Sequence, residues 1–504
     1  MDELHLDLDP SFLEGLPQSP ETALLRSALR DGEPPPSRRI FVNRNLRMET
    51  IRFIGFDLDW TVAPYYRLPL EELIFSLALD RLVARFDYPP TIRQAEFRPH
   101  FPHRGLIIDR GFGTVLKMNR HRYVGRAYLG REILDRHERA RLYRKERLDL
   151  KSERFYWVDT LFELPEVNLF AELVELRRLG RVTLPEYDRL FLDVRAAVDG
   201  VHGEGPLKAR IAADLPRYLP RERELALALH RLQLGDRKLM LVTNSDWEYT
   251  DRVCSYLFDG TLPGLDDWRQ LFALVVVSAG KPGFFRRARP FVELDGDGQP
   301  LREVEVPEWG NVYTGGSRAG LTTLMGSLGE EVLYVGDHIY GDIVSSKLTS
   351  TWRTALVLRE LEEELEMQSE LAPQIRHLQA LKSELASMGH HMDDLHDVLH
   401  LYGRLAAEGL EVEAVSDARR RLEELRGEHR ALRHRAGELQ EGIAMRFNPS
   451  WGSVFKQGGS QSLFGSQVDD FSCIYTARVA NFANYGANHY FRVLTDPMAH
   501  DVEP

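Results

Sequence analysis

Four short runs of apolar residues predict the strands of a parallel β-sheet. Each run is continuous rather than alternating, and segments with helical spacing separate the runs along the chain. Continuous apolar runs are typical of strands that helices cover on both faces. We therefore predict an α/β fold, a Rossmann-like sandwich built around a parallel sheet. The predicted strands are 51–56, 238–242, 274–277 and 332–335.

The stretch between the first two of these strands is too long for one crossover helix. Within it, residues 105–109 and 114–117 flank a glycine-rich turn, which predicts a β-hairpin. Residues 169–179 and 224–232 carry helical spacing. We therefore predict a subdomain that is inserted into the sandwich as a cap.

Beyond residue 356 the sequence becomes rich in Glu, Leu, Arg and Ala. Apolar residues there recur every three or four positions, as they do in coiled coils. A turn near Gly409 and a second helical pattern over 416–440 predict an antiparallel helical hairpin. We interpret this hairpin as a structural or oligomer-forming arm, and we expect a homo-oligomer. The apolar positions of the first helix are Leu371, Ile375, Leu378, Leu381, Leu385, Met388, Met392, Leu395 and Leu399.

These patterns divide the chain into six predicted segments. The first is acidic and then proline-rich, a composition that resists packing into a core. The last is aromatic and glycine-rich, so we expect it to pack back on the core. The segments are a flexible tail (1–38), the first part of the core (39–100), the inserted cap (101–214), the remainder of the core (215–360), the helical hairpin (361–445) and the C-terminal segment (446–504).

The composition excludes several classes of protein. Of the 504 residues, 43% are hydrophobic, which is enough for a sizeable core. The 77 acidic residues outnumber the 65 basic ones, and the net charge of -12 argues against a general binder of nucleic acid or membrane surfaces. No apolar run is long enough for a transmembrane helix. The acidic N-terminus lacks the features of a signal peptide, so we expect a cytoplasmic protein.

Candidate catalytic residues follow the end of each predicted strand. Open α/β sheets bind their ligands at the carboxyl ends of the strands. Taken singly, each motif has an ordinary interpretation as loop acids, a helix N-cap, a solvated lysine or a turn. Taken together, they place carboxylates, a lysine and hydrogen-bond donors at one edge of the sheet. They are Asp57 and Asp59 after the first strand, Thr243, Asn244 and Ser245 after the second, Lys281 after the third, and Asp337 and Asp342 after the fourth.

This set of side chains suits phosphoryl transfer. A carboxylate can attack phosphorus and form an aspartyl-phosphate. Further carboxylates can hold Mg²⁺, which prefers oxygen ligands and binds substrate phosphates. Lysine, threonine and asparagine donors can neutralise the charge on the phosphoryl oxygens during in-line transfer.

In this order, the motifs resemble those of the haloacid dehalogenase (HAD) superfamily of phosphatases. Longer segments are similar to the cytosolic purine 5′-nucleotidase group, and the resemblance covers most of residues 39–360 and 446–500. The helical hairpin is not part of it. The similar segments are 39–48, 104–109, 243–246, 313–317, 334–343, 451–455 and 466–468.

The resemblance implies a role for each residue of the motifs. Asp57 corresponds to the nucleophile, and Asp59 to the general acid/base that protonates the leaving oxygen and then activates water. Asp337 corresponds to a metal ligand, together with Asp57 and the backbone carbonyl of Asp59. Asp342 corresponds to a second acid that supports the metal or the lysine. The phosphate-binding donors would be Thr243, Asn244 and Lys281, with Ser245 as a further substrate-binding hydroxyl.

The resemblance also implies a set of residues that contact the nucleotide. Among them, Phe162 corresponds to a ring that stacks on the base. Plainer interpretations exist, because Arg195 and Asp199 also have the spacing of an i,i+4 helix pair and Phe162 could belong to the core. The implied set is Phe162, Arg195, Asp199, His202 and Lys208.

Three positions depart from the purine-nucleotidase pattern. Trp60 replaces the usual tyrosine. Gly203 stands where those enzymes have an aromatic residue, which removes one possible wall of a base pocket. Asp159 replaces an asparagine associated with nucleotide effectors, and its charge would repel a polyphosphate.

We therefore predict a Mg²⁺-dependent 5′-nucleotidase that hydrolyses purine nucleoside monophosphates through an aspartyl-phosphate on Asp57. Two alternatives stay open. The same chemistry could serve another phosphomonoester, or transfer the phosphate to a nucleoside, since Gly203 and Asp159 alter the pocket. Alternatively, the helical arm could make the protein an interaction scaffold with weak residual activity.

Overall fold

The computed structural model describes residues 19, 22, 33–143, 148–203, 205–327, 329–345, 350–407 and 415–493. Most of the predicted tail, the predicted turn near Gly409 and the last residues of the C-terminal segment lie outside this range. The described chain forms two units. The first comprises residues up to 363 together with 454–493, and the second comprises 364–453.

All the strands in the described part of the chain belong to the first unit, and they are short. In chain order they are β1 (Ile40–Val42), β2 (Leu46–Arg47), β3 (Phe53–Phe56), β4 (Leu106–Asp109), β5 (Thr114–Met118), β6 (Val124–Leu129), β7 (Glu132–Ile133), β8 (Phe155–Trp157), β9 (Lys238–Val242), β10 (Leu274–Val277), β11 (Phe291–Leu294), β12 (Pro300–Val304), β13 (Val312–Gly315), β14 (Val332–Gly336), β15 (Arg353–Val357), β16 (Lys456–Gln457), β17 (Ser460–Gln461), β18 (Ile474–Thr476) and β19 (Tyr490–Phe491).

Helices separate many of these strands. In chain order they are α1 (Arg67–Arg85), α2 (Arg136–Tyr143), α3 (Leu164–Arg178), α4 (Tyr187–Gly203), α5 (Pro206–Ala213), α6 (Leu215–Tyr218), α7 (Arg223–Gln233), α8 (Trp247–Phe258), α9 (Gly283–Arg286), α10 (Arg318–Met325), α11 (Glu360–Glu370), α12 (Ala372–Ala407), α13 (Val415–Phe447) and α14 (Leu463–Phe471).

A ten-stranded sheet organises the first unit, in the order β1-β18-β15-β14-β3-β9-β10-β13-β11-β12. The strands from β18 to β13 are parallel, whereas β1 and the β11–β12 hairpin are antiparallel at the two edges. The four strands predicted from apolar runs are β14, β3, β9 and β10, which are neighbours in the middle of this sheet. The predicted α/β fold is confirmed. Because these strands are parallel and adjacent, the loops that follow them meet at one edge.

A core of large apolar side chains supports the central strands from one face. Phe53 of β3, Met240 of β9, Val276 of β10 and Tyr334 of β14 belong to one buried cluster, together with Trp352. Every residue of β3, β10 and β14 is buried, so both faces of these strands are covered, which explains why the runs are apolar without alternation. This packing fixes the ends of the strands from which the candidate residues project.

A five-stranded antiparallel sheet, in the order β7-β6-β5-β4-β8, lies in the stretch between β3 and β9. Its β4–β5 pair is the predicted hairpin, and Gly113 in the turn adopts a positive φ of 70°, which favours glycine. The two predicted helices are α3 and α7. Helix α1, which precedes the five-stranded sheet in the chain, packs against α3 and α4.

The C-terminal segment returns to the first unit. Its strand β18 lies inside the ten-stranded sheet, parallel to β15 and antiparallel to β1. A short helical turn, Val479–Asn484, packs against α7. The segment therefore supplies a strand of the sheet in addition to the packing on the core that its aromatic composition predicts.

The second unit contains the predicted helical hairpin. Helices α12 and α13 pack along each other, and Leu378 and Leu381 of α12 contact Leu432 and Ala436 of α13. The apolar spacing read from the sequence thus forms the seam between the two helices. In the described part of the chain, no helix has the length and apolar character needed to span a bilayer.

Candidate active site

The loops after β3, β9, β10 and β14 are joined by backbone hydrogen bonds. The Asp57 N–H donates to the carbonyl of Val335, 2.9 Å away, and the Thr243 N–H donates to that of Val276, also at 2.9 Å. The Ala279 N–H donates in turn to the Thr243 carbonyl at 2.9 Å. These bonds continue the sheet beyond the strands and hold the candidate residues in fixed positions.

Lys281 lies at the centre of this loop cluster. Its Nζ is 2.7 Å from Asp57 Oδ1 and 2.9 Å from Asp342 Oδ1. It also donates to the hydroxyl of Tyr334 at 3.2 Å. The side chain is only 4% exposed, which excludes the interpretation of Lys281 as a solvated surface lysine.

Burial and charge pull the ionisation of these groups in opposite directions. Burial raises the pKa of Asp57 from 3.8 to about 7; the Lys281 ammonium opposes this shift, whereas Asp342 and Asp59 add to it. Burial acts to lower the pKa of Lys281, but the Asp342 and Asp57 carboxylates raise it well above its usual range. Lys281 therefore stays protonated and places a positive charge beside Asp57.

Asp337 completes a group of three carboxylates. Asp57, Asp337 and Asp342 each present an oxygen atom, and these atoms lie within 4.8 Å of one another. Asp337 Oδ2 is buried and accepts no hydrogen bond from any residue that the structure describes, and burial raises the pKa of this carboxyl well above its usual range. A Cβ on Gly336 would come within 2.5 Å of Asp342 Oδ2, so glycine is needed there for this approach.

This carboxylate group fits Mg²⁺. The cation prefers several oxygen ligands, and a buried carboxylate oxygen without a donor is stabilised by a metal ion. Arg104 Nη1 lies 3.9 Å from Asp337 Oδ2, but Arg104 is also paired with Glu360. Lys281 and Arg104 together therefore face four carboxylates, those of Asp57, Asp337, Asp342 and Glu360, and do not balance them when all four are ionised. The side-chain carboxylate of Asp59 is not part of the group.

The Asp59 carboxylate is instead held by two hydroxyl groups. Oδ1 accepts from the Tyr65 hydroxyl at 2.6 Å, and Oδ2 accepts from Ser245 Oγ at 2.8 Å. The Tyr65 hydroxyl also bonds to that of Tyr249, 2.7 Å away. Ser245 is thus placed beside Asp59, at the end of β9.

The Thr243–Asp246 run begins a helix, as its interpretation as an N-cap predicts, and it also lies beside Lys281. Asn244 is exposed and exchanges two hydrogen bonds with the backbone of Lys281, at 2.7 and 3.1 Å. Thr243 is buried, and its Oγ1 accepts from the Ser245 N–H at 3.0 Å. Asp246 caps α8 by accepting from the Tyr249 N–H at 3.0 Å. The run therefore starts a helix and also borders the lysine.

Phe162 lies in a cluster of aromatic rings next to Asp59. Its ring centroid is 5.9 Å from that of Trp60, 6.4 Å from Tyr65 and 5.2 Å from His202. His202 Nδ1 donates to the Val198 carbonyl at 2.9 Å, which leaves Nε2 as an acceptor in the neutral ring. Burial lowers the pKa of His202, and Nε2 is buried without a hydrogen bond from any described residue.

Arg195 and Asp199 form the i,i+4 pair that their spacing allows, with Nε 3.7 Å from Oδ2. Arg195 Nη1 also donates to Glu163 and to the buried Glu166, each at 3.2 Å. Lys208 Nζ donates to Asp246 Oδ2 at 2.6 Å. Among the described contacts, neither Arg195 nor Asp199 bonds directly to Asp57, Asp59, Asp337 or Asp342, whereas Lys208 contacts Asp246, the residue that follows Ser245.

Comparisons with known proteins identify the family. The 5′ nucleotidase family matches residues 40–503 of the chain. A 5′-nucleotidase domain-containing protein of Dictyostelium discoideum is 30% identical over 455 residues, which cover 88% of this chain and 72% of that protein.

The chain belongs to the 5′-nucleotidase family. The resemblance drawn from the motifs is confirmed, and the protein is a phosphomonoester hydrolase. Among solved structures, the protein YfnB of Bacillus subtilis, described as a HAD-hydrolase bound to magnesium, is 16% identical and aligns over 61% of this chain and 88% of its own, with a TM-score of 0.18.

The three departures from the purine-nucleotidase pattern have structural counterparts in this 5′-nucleotidase. Trp60 is buried against Tyr65, with a positive φ of 59°. Gly203 is exposed, and a Cβ there would meet no atom of a described residue within 4 Å. Burial, reinforced by Glu163, raises the pKa of Asp159 to about 7.

Several residues at the site were missed at the sequence level. Tyr65 contacts both Asp59 and Tyr249. Tyr334 contacts Lys281. Arg104 is fully buried and pairs with Glu360 while donating to the Asp337 carbonyl at 2.6 Å. Tyr334 and Arg104 stand within segments that carry the family resemblance, which is the signal that could have found them. Tyr65 and Glu360 have no comparable signal.

Proposed function

We propose that this 5′-nucleotidase is Mg²⁺-dependent and hydrolyses purine nucleoside monophosphates through an aspartyl-phosphate on Asp57. The observation that carries the proposal is the contact of Lys281 with both Asp57 and Asp342, beside a buried carboxylate oxygen of Asp337 that accepts no hydrogen bond from a described residue. A lysine that stays protonated, next to a group of carboxylates that can bind a metal ion, is the arrangement expected for a phosphoryl-transfer site.

Asp57 is the proposed nucleophile. Lys281 favours its ionised form, which is the form that attacks. As Asp57 Oδ bonds to phosphorus, the bond from phosphorus to the nucleoside 5′-oxygen breaks, and that oxygen takes the proton of the Asp59 carboxyl. Asp57, Asp337, Asp342 and the backbone carbonyl of Asp59 would hold Mg²⁺, which when bound supplies positive charge against the phosphoryl oxygens.

The second step regenerates the enzyme. Asp59, now ionised, accepts a proton from a water molecule whose oxygen bonds to phosphorus, and the bond between phosphorus and Asp57 breaks. Inorganic phosphate leaves, and both carboxyl groups return to their starting states. Thr243, Asn244 and Lys281 are the proposed donors to the phosphate during both steps.

The aromatic cluster supports a nucleoside as the leaving group. Phe162 lies beside Trp60 and His202, close to the proposed acid, so a planar base could stack there. His202 Nε2 offers an acceptor that no described residue uses. Ser245, Lys208, Arg195 and Asp199 complete the proposed substrate-binding set.

We also propose a cytoplasmic location and a homo-oligomeric state.

A second candidate substrate is a non-nucleotide phosphomonoester. The exposed position of Gly203, where a Cβ would meet no described atom within 4 Å, favours this alternative, because the glycine offers no side chain to contact a base. The catalytic steps would be the same. The two candidates would differ only in which residues contact the leaving group.

A substrate panel tests the proposal. Phosphate release is measured from IMP, GMP, AMP, CMP, UMP, ribose 5-phosphate and glucose 6-phosphate, each with Mg²⁺ and with EDTA. The proposal predicts release that requires Mg²⁺ and is fastest for a purine nucleotide. Release confined to the sugar phosphates would replace the nucleotide by the second candidate, and full activity in EDTA would contradict the proposed metal.

A further inference from the structure

The Asp59 carboxylate is held at both oxygens by donors from different parts of the chain. Tyr65, six residues further along the same loop, bonds to Oδ1 at 2.6 Å. Ser245, at the end of β9, bonds to Oδ2 at 2.8 Å. The torsion that turns a carboxylate about its Cβ–Cγ bond is soft, so one hydrogen bond alone would leave the orientation of the group poorly fixed.

Tyr65 is itself rigidly placed. It is 2% exposed, and its hydroxyl bonds to that of Tyr249, which is 5% exposed, at 2.7 Å. Its ring packs edge-on against Trp60, with centroids 5.3 Å apart, and against Phe162, at 6.4 Å. The loop that carries Tyr65 is closed by a bond of 2.7 Å from the Ala63 N–H to the Leu58 carbonyl.

We infer that Tyr65 is a positioning residue for the general acid: it fixes the Asp59 carboxyl in the orientation that delivers a proton to the leaving oxygen. The inference rests on the role proposed above for Asp59. A hydroxyl group can both donate and accept a hydrogen bond, so the contact can persist when Asp59 has given up its proton and when it carries one. Because the Tyr65 ring also contacts Phe162, the same residue links the acid to the proposed nucleoside pocket.

The test compares two leaving groups in the Tyr65→Phe variant, which keeps the ring and loses the hydroxyl. The two substrates are IMP and 4-nitrophenyl phosphate. The 5′-oxygen of inosine would leave IMP as an alkoxide and needs a proton, whereas 4-nitrophenolate leaves 4-nitrophenyl phosphate readily without one. Single-turnover release of inosine and of 4-nitrophenol isolates the first chemical step. We expect inosine release to slow by up to about 10-fold, the typical effect of losing one hydrogen bond. Release of 4-nitrophenol should change by less than about twofold.

Three further variants frame the result. Asp59→Asn should show the same selectivity with a larger loss, about 10² to 10⁴ for inosine release. Ser245→Ala, which removes the other donor to Asp59, should also slow inosine release selectively. Tyr88→Phe is the matched control, because Tyr88 is a buried tyrosine that donates to a different carboxylate, Asp193 Oδ2 at 3.1 Å. It should leave both rates unchanged.

The outcomes separate this inference from the proposed function. If Asp59→Asn is selective but Tyr65→Phe slows both substrates equally, or neither, the positioning role of Tyr65 is overturned and the role of Asp59 stands. If Asp59→Asn itself lacks selectivity, the acid role falls, and the inference falls with it. Circular dichroism of each variant checks that it is folded; a selective loss in Ser245→Ala alone would also count against Tyr65.

Discussion

The Nζ of Lys281 lies 2.7 Å from Oδ1 of Asp57, although the two residues follow different strands of the central sheet. The contact places the buried positive charge of Lys281 next to the carboxylate of the proposed nucleophile. Lys281 shares its charge with Asp342, and Arg104, 3.9 Å from Asp337, shares its charge with Glu360, so the carboxylates of the site carry an excess of negative charge when all of them are ionised. That excess is the physical reason to expect a divalent cation at this site.

Mg²⁺ binding should weaken as the pH falls below 7. The pKa of Asp57 is raised from 3.8 to about 7, so protons compete with the cation for this carboxylate below that pH. We expect the apparent Kd for Mg²⁺ to rise by up to about tenfold per pH unit between pH 7 and 5.5, and to change little between pH 7.5 and 8.5. Isothermal titration calorimetry measures this dependence.

The matched variant for this experiment is Asp57→Asn. It removes one titrating ligand, so the affinity should be lower at pH 8 and should depend less steeply on pH. A Kd that is the same for the wild type at pH 5.5 and pH 8 would contradict the assignment of Asp57 as a ligand.

Phe162→Ala should weaken nucleotide binding without impairing the chemistry on smaller substrates. The ring belongs to the aromatic cluster beside Asp59, and loss of base stacking typically costs about 1–3 kcal/mol. We expect the KM for IMP to rise about tenfold, whereas the KM for ribose 5-phosphate, which has no base, should stay within about twofold. Equal changes for the two substrates would show that Phe162 acts only as a core residue.

Asp159→Asn should stabilise the protein, and increasingly so at higher pH. The pKa of Asp159 is about 7 in the folded protein against 3.8 in the unfolded chain, because burial and Glu163 disfavour its charge. The folded state thus binds the proton more tightly, and stability falls as the pH rises from about 4 through 7. The variant avoids this loss; for a half-buried group we expect a gain of about 2 kcal/mol at pH 8 and almost none at pH 4.

Denaturant unfolding of wild type and variant at the two pH values measures the gain. Asp297→Asn is the control, since Asp297 is exposed in the turn between β11 and β12. A pH-independent difference for Asp159→Asn would show that the effect does not come from the buried charge.

The central sheet could be predicted because its strands are buried on both faces. Strands β3, β9, β10 and β14 have no polar side to interrupt their apolar runs, except for the exposed Lys238 at the start of β9. The edge strands gave no such signal. Strand β12, for example, is largely exposed, so its sequence carries no apolar run.

The motif residues could be found because their positions depend on chain order alone. Asp57 directly follows β3, and Lys281 lies in the loop that follows β10. Neighbouring parallel strands bring such positions together at one edge of the sheet. Tyr65 was missed for the opposite reason. Its contact with Asp59 depends on how one loop turns back on itself, and tyrosine in a loop has no pattern that indicates a catalytic neighbour.

The most direct test of the account is the turnover of Asp57→Asn on IMP with saturating Mg²⁺, measured beside the wild type and Asp297→Asn. Asparagine keeps the shape of the side chain but is a poor nucleophile, so the account predicts that turnover falls by at least about 10³-fold. Asp297→Asn should retain the wild-type rate. Phosphate release by Asp57→Asn at a rate close to that of the wild type would contradict an aspartyl-phosphate on Asp57.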